Sequence, residues 1–145
     1  MSSEARPQAT SPTSPVQTLL DIPFHRFLGL ELADPAEPSA GVRLHAGTPT
    51  MNNQGLLHGG IVYALLDVAA YLALLPVLAG DERTVTHDVF VSLMRSVRQD
   101  QVVHVLAQLT HRGRSIAFLS SEAVCEGRVV AVGRVTKSVL PGERP

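Results

Sequence analysis

Cysteine is almost absent from this sequence: Cys125 is the only one in 145 residues. A disulfide framework and a cysteine-built zinc site are thereby excluded within one chain. A lone Cys in an apolar strand reads as core filling, with a reactive thiol as the other reading. Tryptophan is missing and aromatic residues make up only 4%, which removes the stacking platform of single-strand binders. Neither sign of charge dominates. The formal net charge of −1 supplies no positive field for nucleic acid or an anionic membrane. His-Glu-x-x-His, Gly-x-Ser-x-Gly and glycine-rich phosphate loops are all lacking, so zinc-peptidase, nucleophile-elbow and nucleotide chemistry have no footing. The histidines are scattered without ligand spacing, and no metal is expected.

The start of the chain also lacks the basic region and apolar run of an export signal. The cytoplasm is therefore the expected compartment. Met1 to about Thr18 is rich in Ser, Thr, Pro and Ala. So little apolar surface cannot offset the entropy of ordering, and residues 1–18 are expected to be a disordered leader. Residues 19–140 are expected to form one domain, with 141–145 as a short tail. Hydrophobic residues at 45% suffice for one real core at this length.

What is present is a sharp change of pattern along the chain. Leu19 to Leu30 predicts a short helix with Phe24, Phe27 and Leu28 on one face. Asp34 to Gly41 is a loop, marked by Pro35, Pro38 and Gly41. Val42, Leu44 and Ala46 alternate with Arg43 and His45, the period of a half-buried strand. A second loop runs from Thr48 to Gln54. Leu57 to about Leu78 then predicts a long apolar helix, opened by His58-Gly59-Gly60 and stopped around Pro76 to Gly80. Its Ile61–Ala79 portion is apolar enough to suggest a membrane span. Asp67 and Pro76 interrupt it and amphipathic strands follow directly, so a buried core helix fits better. Four strand-like runs follow: Thr84–Leu93, Val102–His111, Ser115–Cys125 and Arg128–Leu140, expected as an antiparallel meander. A helix that is apolar all round needs cover on nearly every side. A curved antiparallel sheet wrapped around it gives an α+β chain with the outline of a hotdog fold.

Asp67 is the residue hardest to explain as packing. Tyr63, Ala64, Ala70 and Tyr71 flank it at helical spacing. An unpaired buried carboxylate costs several kcal/mol. Its reason for being there is either a base or nucleophile in a dry cleft, or an interface contact or ion pair with Arg. Gly59 and Gly60 stand where the helix begins. Free N–H groups there can stabilise an oxyanion, or the pair can simply supply a flexible turn. His58 is a candidate base or metal ligand, but without a His or Cys partner at ligand spacing it reads first as a helix-start residue that hydrogen-bonds and shapes the turn. Thr86 sits on a mixed strand face and can orient Asp67 or merely pack. Arg112, Arg114, Arg128, Arg134 and Lys137 can meet phosphates or serve as solvated edge charges.

Taken together, Asn52…His58-Gly59-Gly60, six further residues and then Asp67 resemble the hotdog acyl-CoA thioesterases of the phenylacetate-pathway (PaaI-like) type. Thr86-His87-Asp88-Val89-Phe90-Val91-Ser92-Leu93-Met94-Arg95, the Gly113-Arg114-Ser115 turn and Val132-Gly133-Arg134-Val135-Thr136-Lys137 match as well. The resemblance covers about Leu19 to Leu140. It implies hydrolysis of an aryl- or medium-chain acyl-CoA to free acid and CoA. Asp67 would then be general base or nucleophile, Gly59 N–H would polarise the carbonyl, Asn52 would orient water or substrate, and Thr86 would assist on the next strand. His58, Gly60, Arg114 and Ser115 would contact substrate. The Asn52 match is open to a slip of one, to Asn53. No cofactor is implied beyond the CoA of the substrate. The resemblance also implies a dimer or tetramer of identical chains with sites between subunits. The same fold also carries acyl-thioester hydratases or dehydratases, for which His58 and Asp67 would be the pair, and non-catalytic acyl-CoA binders.

Overall fold

The computed structural model of the chain describes residues 12–142. Two short helices come first, α1 (Pro15–Leu20) and α2 (Pro23–Leu28). The single helix expected from Leu19 is thus two, because Pro23 opens a new N-terminus and Gly29 ends it at φ 65°. Residues 15–18, expected within the leader, form most of α1. Ser14 caps it by accepting from Gln17 N–H at 3.1 Å. Residues 1–11 of the expected leader and 143–145 of the expected tail lie outside the described residues.

The strands are β1 (Glu31–Leu32), β2 (Val42–His45), β3 (Arg83–Leu93), β4 (Val102–Arg112), β5 (Ile116–Cys125) and β6 (Arg128–Leu140). They form one antiparallel sheet in the order β1-β2-β4-β5-β6-β3. The expected meander holds only for β4, β5 and β6. β3 does not neighbour β4; it crosses to the far edge and pairs with β6. The irregular stretch Met94–Gln101 makes this crossing, and β4 is left free to pair with β2. Register shifts in β3, β4 and β6 bend the strands, which lets the sheet curl.

α3 (Gly59–Leu74) is the axis around which the sheet wraps. A single 3₁₀ turn, Leu75–Val77, continues it. Pro76 lacks the N–H for another α-turn and its ring crowds the preceding turn, so the α-helix stops there. Leu65, Leu66, Leu72 and Leu74 are fully buried, each contributing about 1.5–3 kcal/mol on transfer from water. They meet the inward positions of the sheet, among them Val103, Val105, Ala123 and Val135. Helix and turn together are long and apolar enough to cross a membrane, yet eight α3 residues are buried inside this core. Gly41 shows how tightly the sheet closes. At φ 97° it lies against the carbonyl of Val105, where any Cβ would collide.

Candidate active site

Asp67 is halfway along α3, and its neighbours are not what the flanking sequence suggests. Thr86 on β3 donates its hydroxyl proton toward the carboxylate, 2.9 Å from Oδ1 and 3.0 Å from Oδ2. Lys137 on β6 donates to Asp67 Oδ1 at 2.8 Å and to Thr86 Oγ1 at 2.9 Å. The register explains the meeting: Thr86 lies directly opposite Lys137 across the β3–β6 pair. Lys137 is buried, whereas the Asp67 side chain is 32% exposed. The carboxylate is therefore paired, hydrogen-bonded and still open to a ligand. Of the two explanations offered for it, the ion pair is present, with Lys and not Arg as partner.

Sequence patterning placed Lys137 among the basic residues for phosphates or solvated edges. Its burial overturns both readings. The signal was in the alternation: Val135, Lys137 and Val139 occupy successive inward positions of β6 and all are buried. The other basic residues are at the surface or in pairs. Arg112 pairs with Glu82 at 2.6 Å, Arg134 lies over the Phe90 ring at 5.6 Å, and Arg114 and Arg128 are exposed.

A cavity of about 360 Å³ opens beside Asp67. Leu19 and His25 of the N-terminal helices and Ile22 between them wall it on one side, and Val68 and Tyr71 of α3 on the other. Burial raises the Tyr71 phenol above its ordinary value, so it stays neutral and able to donate.

Gly59 and Asn52 belong to a different cavity, of about 260 Å³, with Leu93, Met94 and Arg95. Arg95 was not among the expected site residues; its Nη1 donates to the Val129 carbonyl at 2.6 Å beside this cavity. Asn52 Oδ1 accepts from Gln54 N at 2.9 Å and from Leu56 N at 3.1 Å. It staples the loop that leads into α3, whereas Asn53 is exposed. His58 caps the helix: its Nδ1 accepts from Gly60 N at 2.9 Å. A Cβ at Gly59 would meet Leu93 Cδ1 at 2.8 Å, so the helix start rests against the end of β3.

The expected site residues thus fall into two groups within one chain. Asn52, His58, Gly59 and Gly60 cluster at the helix start; Asp67 and Thr86 meet two turns further on, joined there by Lys137, which was not among them. At 1.5 Å per residue, Gly59 and Asp67 are separated by about 12 Å along the axis. They cannot act on one carbonyl within a single chain, and neither can His58 and Asp67. Arg114 and Ser115 are exposed at the β4–β5 connection and line neither cavity. Among the described residues no group of His, Cys, Asp and Glu could hold a metal ion.

Comparison with known proteins gives this geometry a context. The chain is similar to the TT0310 protein of Thermus thermophilus, with a TM-score of 0.73 and 29% identity over 82% of this chain and 98% of that one. It is similar to a mutant of the phenylacetic acid degradation protein PaaI from Thermus thermophilus: TM-score 0.69, 26% identity, 82% of this chain and 100% of that one. The BH2602 protein of Bacillus halodurans, whose structure contains CoA, gives a TM-score of 0.65 and 25% identity over 68% of this chain and 70% of that one. No curated protein matches the chain significantly in sequence. A model of the thioesterase superfamily matches residues 54–132. With the long central helix, the curled antiparallel sheet and this match in hand, the chain belongs to the thioesterase superfamily and has the hotdog fold.

Proposed function

We propose that the protein hydrolyses an acyl-CoA thioester, with Asp67 as general base or nucleophile. The observation that carries this reading is the half-open carboxylate of Asp67, held by Thr86 and Lys137 at the wall of a cavity. A thioester carbonyl is electrophilic and a thiolate leaves readily. One carboxylate and one N–H donor are therefore enough machinery. Asp67 takes a proton from the water that adds to the carbonyl and returns it to the departing thiolate, or it attacks directly, the thiolate is protonated by solvent, and water then cleaves the acyl–Asp67 anhydride. The developing oxyanion is stabilised by the Gly59 N–H at a helix N-terminus, and CoA departs as the thiol. The reaction calls for no cofactor beyond the CoA that the substrate carries.

The Gly59 donor must come from a second copy, given the roughly 12 Å between the two groups along one helix. β3 offers the means. It is an eleven-residue edge strand with Val85, Phe90 and Leu93 exposed. An edge of this kind is a template for pairing with another chain. Within one chain Gly59 abuts Leu93 and Asp67 bonds Thr86. Bringing Gly59 of the second copy to Asp67 therefore means bringing its Leu93 beside Thr86. Antiparallel pairing about a two-fold axis at Phe90 does this. It sets Val89 opposite Val91 of the second copy, keeping helix-facing side chains together, and the irregularity between Thr86 and Asp88 brings Thr86 to Leu93. A dimer of identical chains is the minimal active unit in this reading, and the cytoplasm its place.

The cavity beside Asp67, at about 360 Å³, is near the lower end of ligand cavities. Its Leu19, Ile22, Val68 and Tyr71 lining suits a compact aryl or medium-chain acyl group. Release of thiol from a panel of aryl- and alkyl-CoA esters tests the reading. The expected result is turnover of compact esters, reduced about a hundredfold or more in Asp67→Asn. No turnover of any ester, or equal turnover by both proteins, refutes it.

A further inference from the structure

Lys137 has no part in the chemistry described so far. A lysine is seldom buried this deeply without a partner, because taking an ammonium out of water is costly. This one has two acceptors on two different elements, Asp67 Oδ1 of α3 at 2.8 Å and Thr86 Oγ1 of β3 at 2.9 Å. The donors can be assigned consistently. Lys137 gives one N–H to Asp67 and another to Thr86. Thr86, with a lone pair so engaged, still has its own proton to give, and both Asp67 oxygens are within reach. With that proton on Oδ2, each carboxylate oxygen has one donor and each keeps a lone pair for a water or a carbonyl carbon. The side chain is tied from two strands at once. The other titratable groups lining this cleft are His25, whose Nδ1 bonds the Leu19 carbonyl at 2.7 Å, and the neutral Tyr71.

We propose that Lys137 is a positioning residue of the thioester-cleaving site: its ammonium is the counter-charge of Asp67 and, with Thr86, fixes the direction in which that carboxylate faces the cleft. The proposal rests on the thioesterase reading and adds to it the group that orients the base. Lys137 acts through Asp67 and does not touch the reacting atoms. Holding the base in one orientation before substrate arrives lowers the barrier to the chemical step and leaves ester binding alone.

The test is kcat and KM for CoA-ester hydrolysis by wild type, Lys137→Met, Asp67→Asn and the double variant, with folding followed by thermal unfolding. Lys137→Met is expected to lower kcat by at least about tenfold while KM stays within about twofold. In the Asp67→Asn background the same change is expected to lower kcat no further, since the group that Lys137 acts through is already lost. Should Lys137→Met not fold, Lys137→Gln, which keeps a donor and removes the charge, replaces it in the cycle. Wild-type kcat in a folded Lys137 variant, or an equal further loss in the Asp67→Asn background, overturns the proposal and leaves the thioesterase reading standing. A wild-type protein inactive on every ester overturns that reading and this proposal with it.

Discussion

The carboxylate of Asp67 and the ammonium of Lys137 are 2.8 Å apart, the first a third exposed and the second buried. Breaking such a pair from the carboxylate side leaves a buried cation without a counter-charge. Loss of one partner of a fully buried pair costs about 3–5 kcal/mol; the exposure of Asp67 reduces this to an expected ~1–3 kcal/mol for Asp67→Asn. Urea unfolding measures it. Adding Lys137→Met to Asp67→Asn removes the orphaned charge and is expected to recover most of the loss. If the single variant is as stable as wild type, the pair contributes nothing to the fold. The same result bears on kinetics, because activity lost in Asp67→Asn reports chemistry only once folding at the assay temperature is shown.

Phe90 is 62% exposed and lies under the Arg134 guanidinium. At the proposed two-fold axis it faces its own copy. Phe90→Lys places like charges opposite each other and a cation beside Arg134. Sedimentation is expected to show a shift from dimer to monomer with loss of turnover, while far-UV circular dichroism keeps the wild-type shape. A fully active dimer of the Phe90→Lys variant would refute the pairing through β3.

A second ion pair ties the turn before β3 to the β4–β5 connection. Arg112 donates to Glu82 at 2.6 Å, and Ala79 N–H donates to the same oxygen at 2.9 Å. First the guanidinium and then the backbone N–H hold the Glu82 carboxyl below its ordinary range. A carboxyl lowered in the folded state stabilises at pH values above its unfolded value, about 4.3, and that contribution is lost as pH falls through the folded value. Tm measured from pH 7 to pH 3 is expected to fall less steeply in Glu82→Gln than in wild type, from a lower starting point at neutral pH. Parallel curves would show that the pair is not linked to acid unfolding.

Much of the fold was legible because its signals are local. The apolar run predicted a helix over residues 57–78, found as Gly59–Leu74 with its 3₁₀ extension. Alternation and strand-like runs located β2, β3, β4, β5 and β6 to within a residue or two. Cys125 is buried, as core filling requires, and burial raises its thiol. What was not legible depends on the sheet order. Nothing local says that β3 leaves β4 and pairs with β6, since that choice is made by how the whole sheet closes around α3. The site shows the same division. Asp67 stands out because a carboxylate in an apolar helix needs a reason. Lys137 was passed over because its partner is 70 residues away and reaches it only after β3 and β6 have paired. Asn52 was singled out by the resemblance to the hotdog thioesterases, but its service as a loop staple became visible only in its hydrogen bonds.

If each site takes Gly59 from one chain and Asp67 from another, two differently damaged chains restore one another's activity. Gly59 is the first residue of α3, where proline is well tolerated; Gly59→Pro removes the N–H, and the flexible end of Leu93, 2.8 Å from the added Cβ, has to turn aside. Gly59→Pro and Asp67→Asn are each expected to retain at most about a hundredth of wild-type turnover alone. Unfolded together in equal amounts and refolded, they form mixed dimers in which one site has both intact groups. Recovery of about a quarter of wild-type thiol release is expected, the statistical share of intact sites in random pairing of the two chains. A mixture no more active than its two components, with mixed dimers shown to form, refutes the shared site.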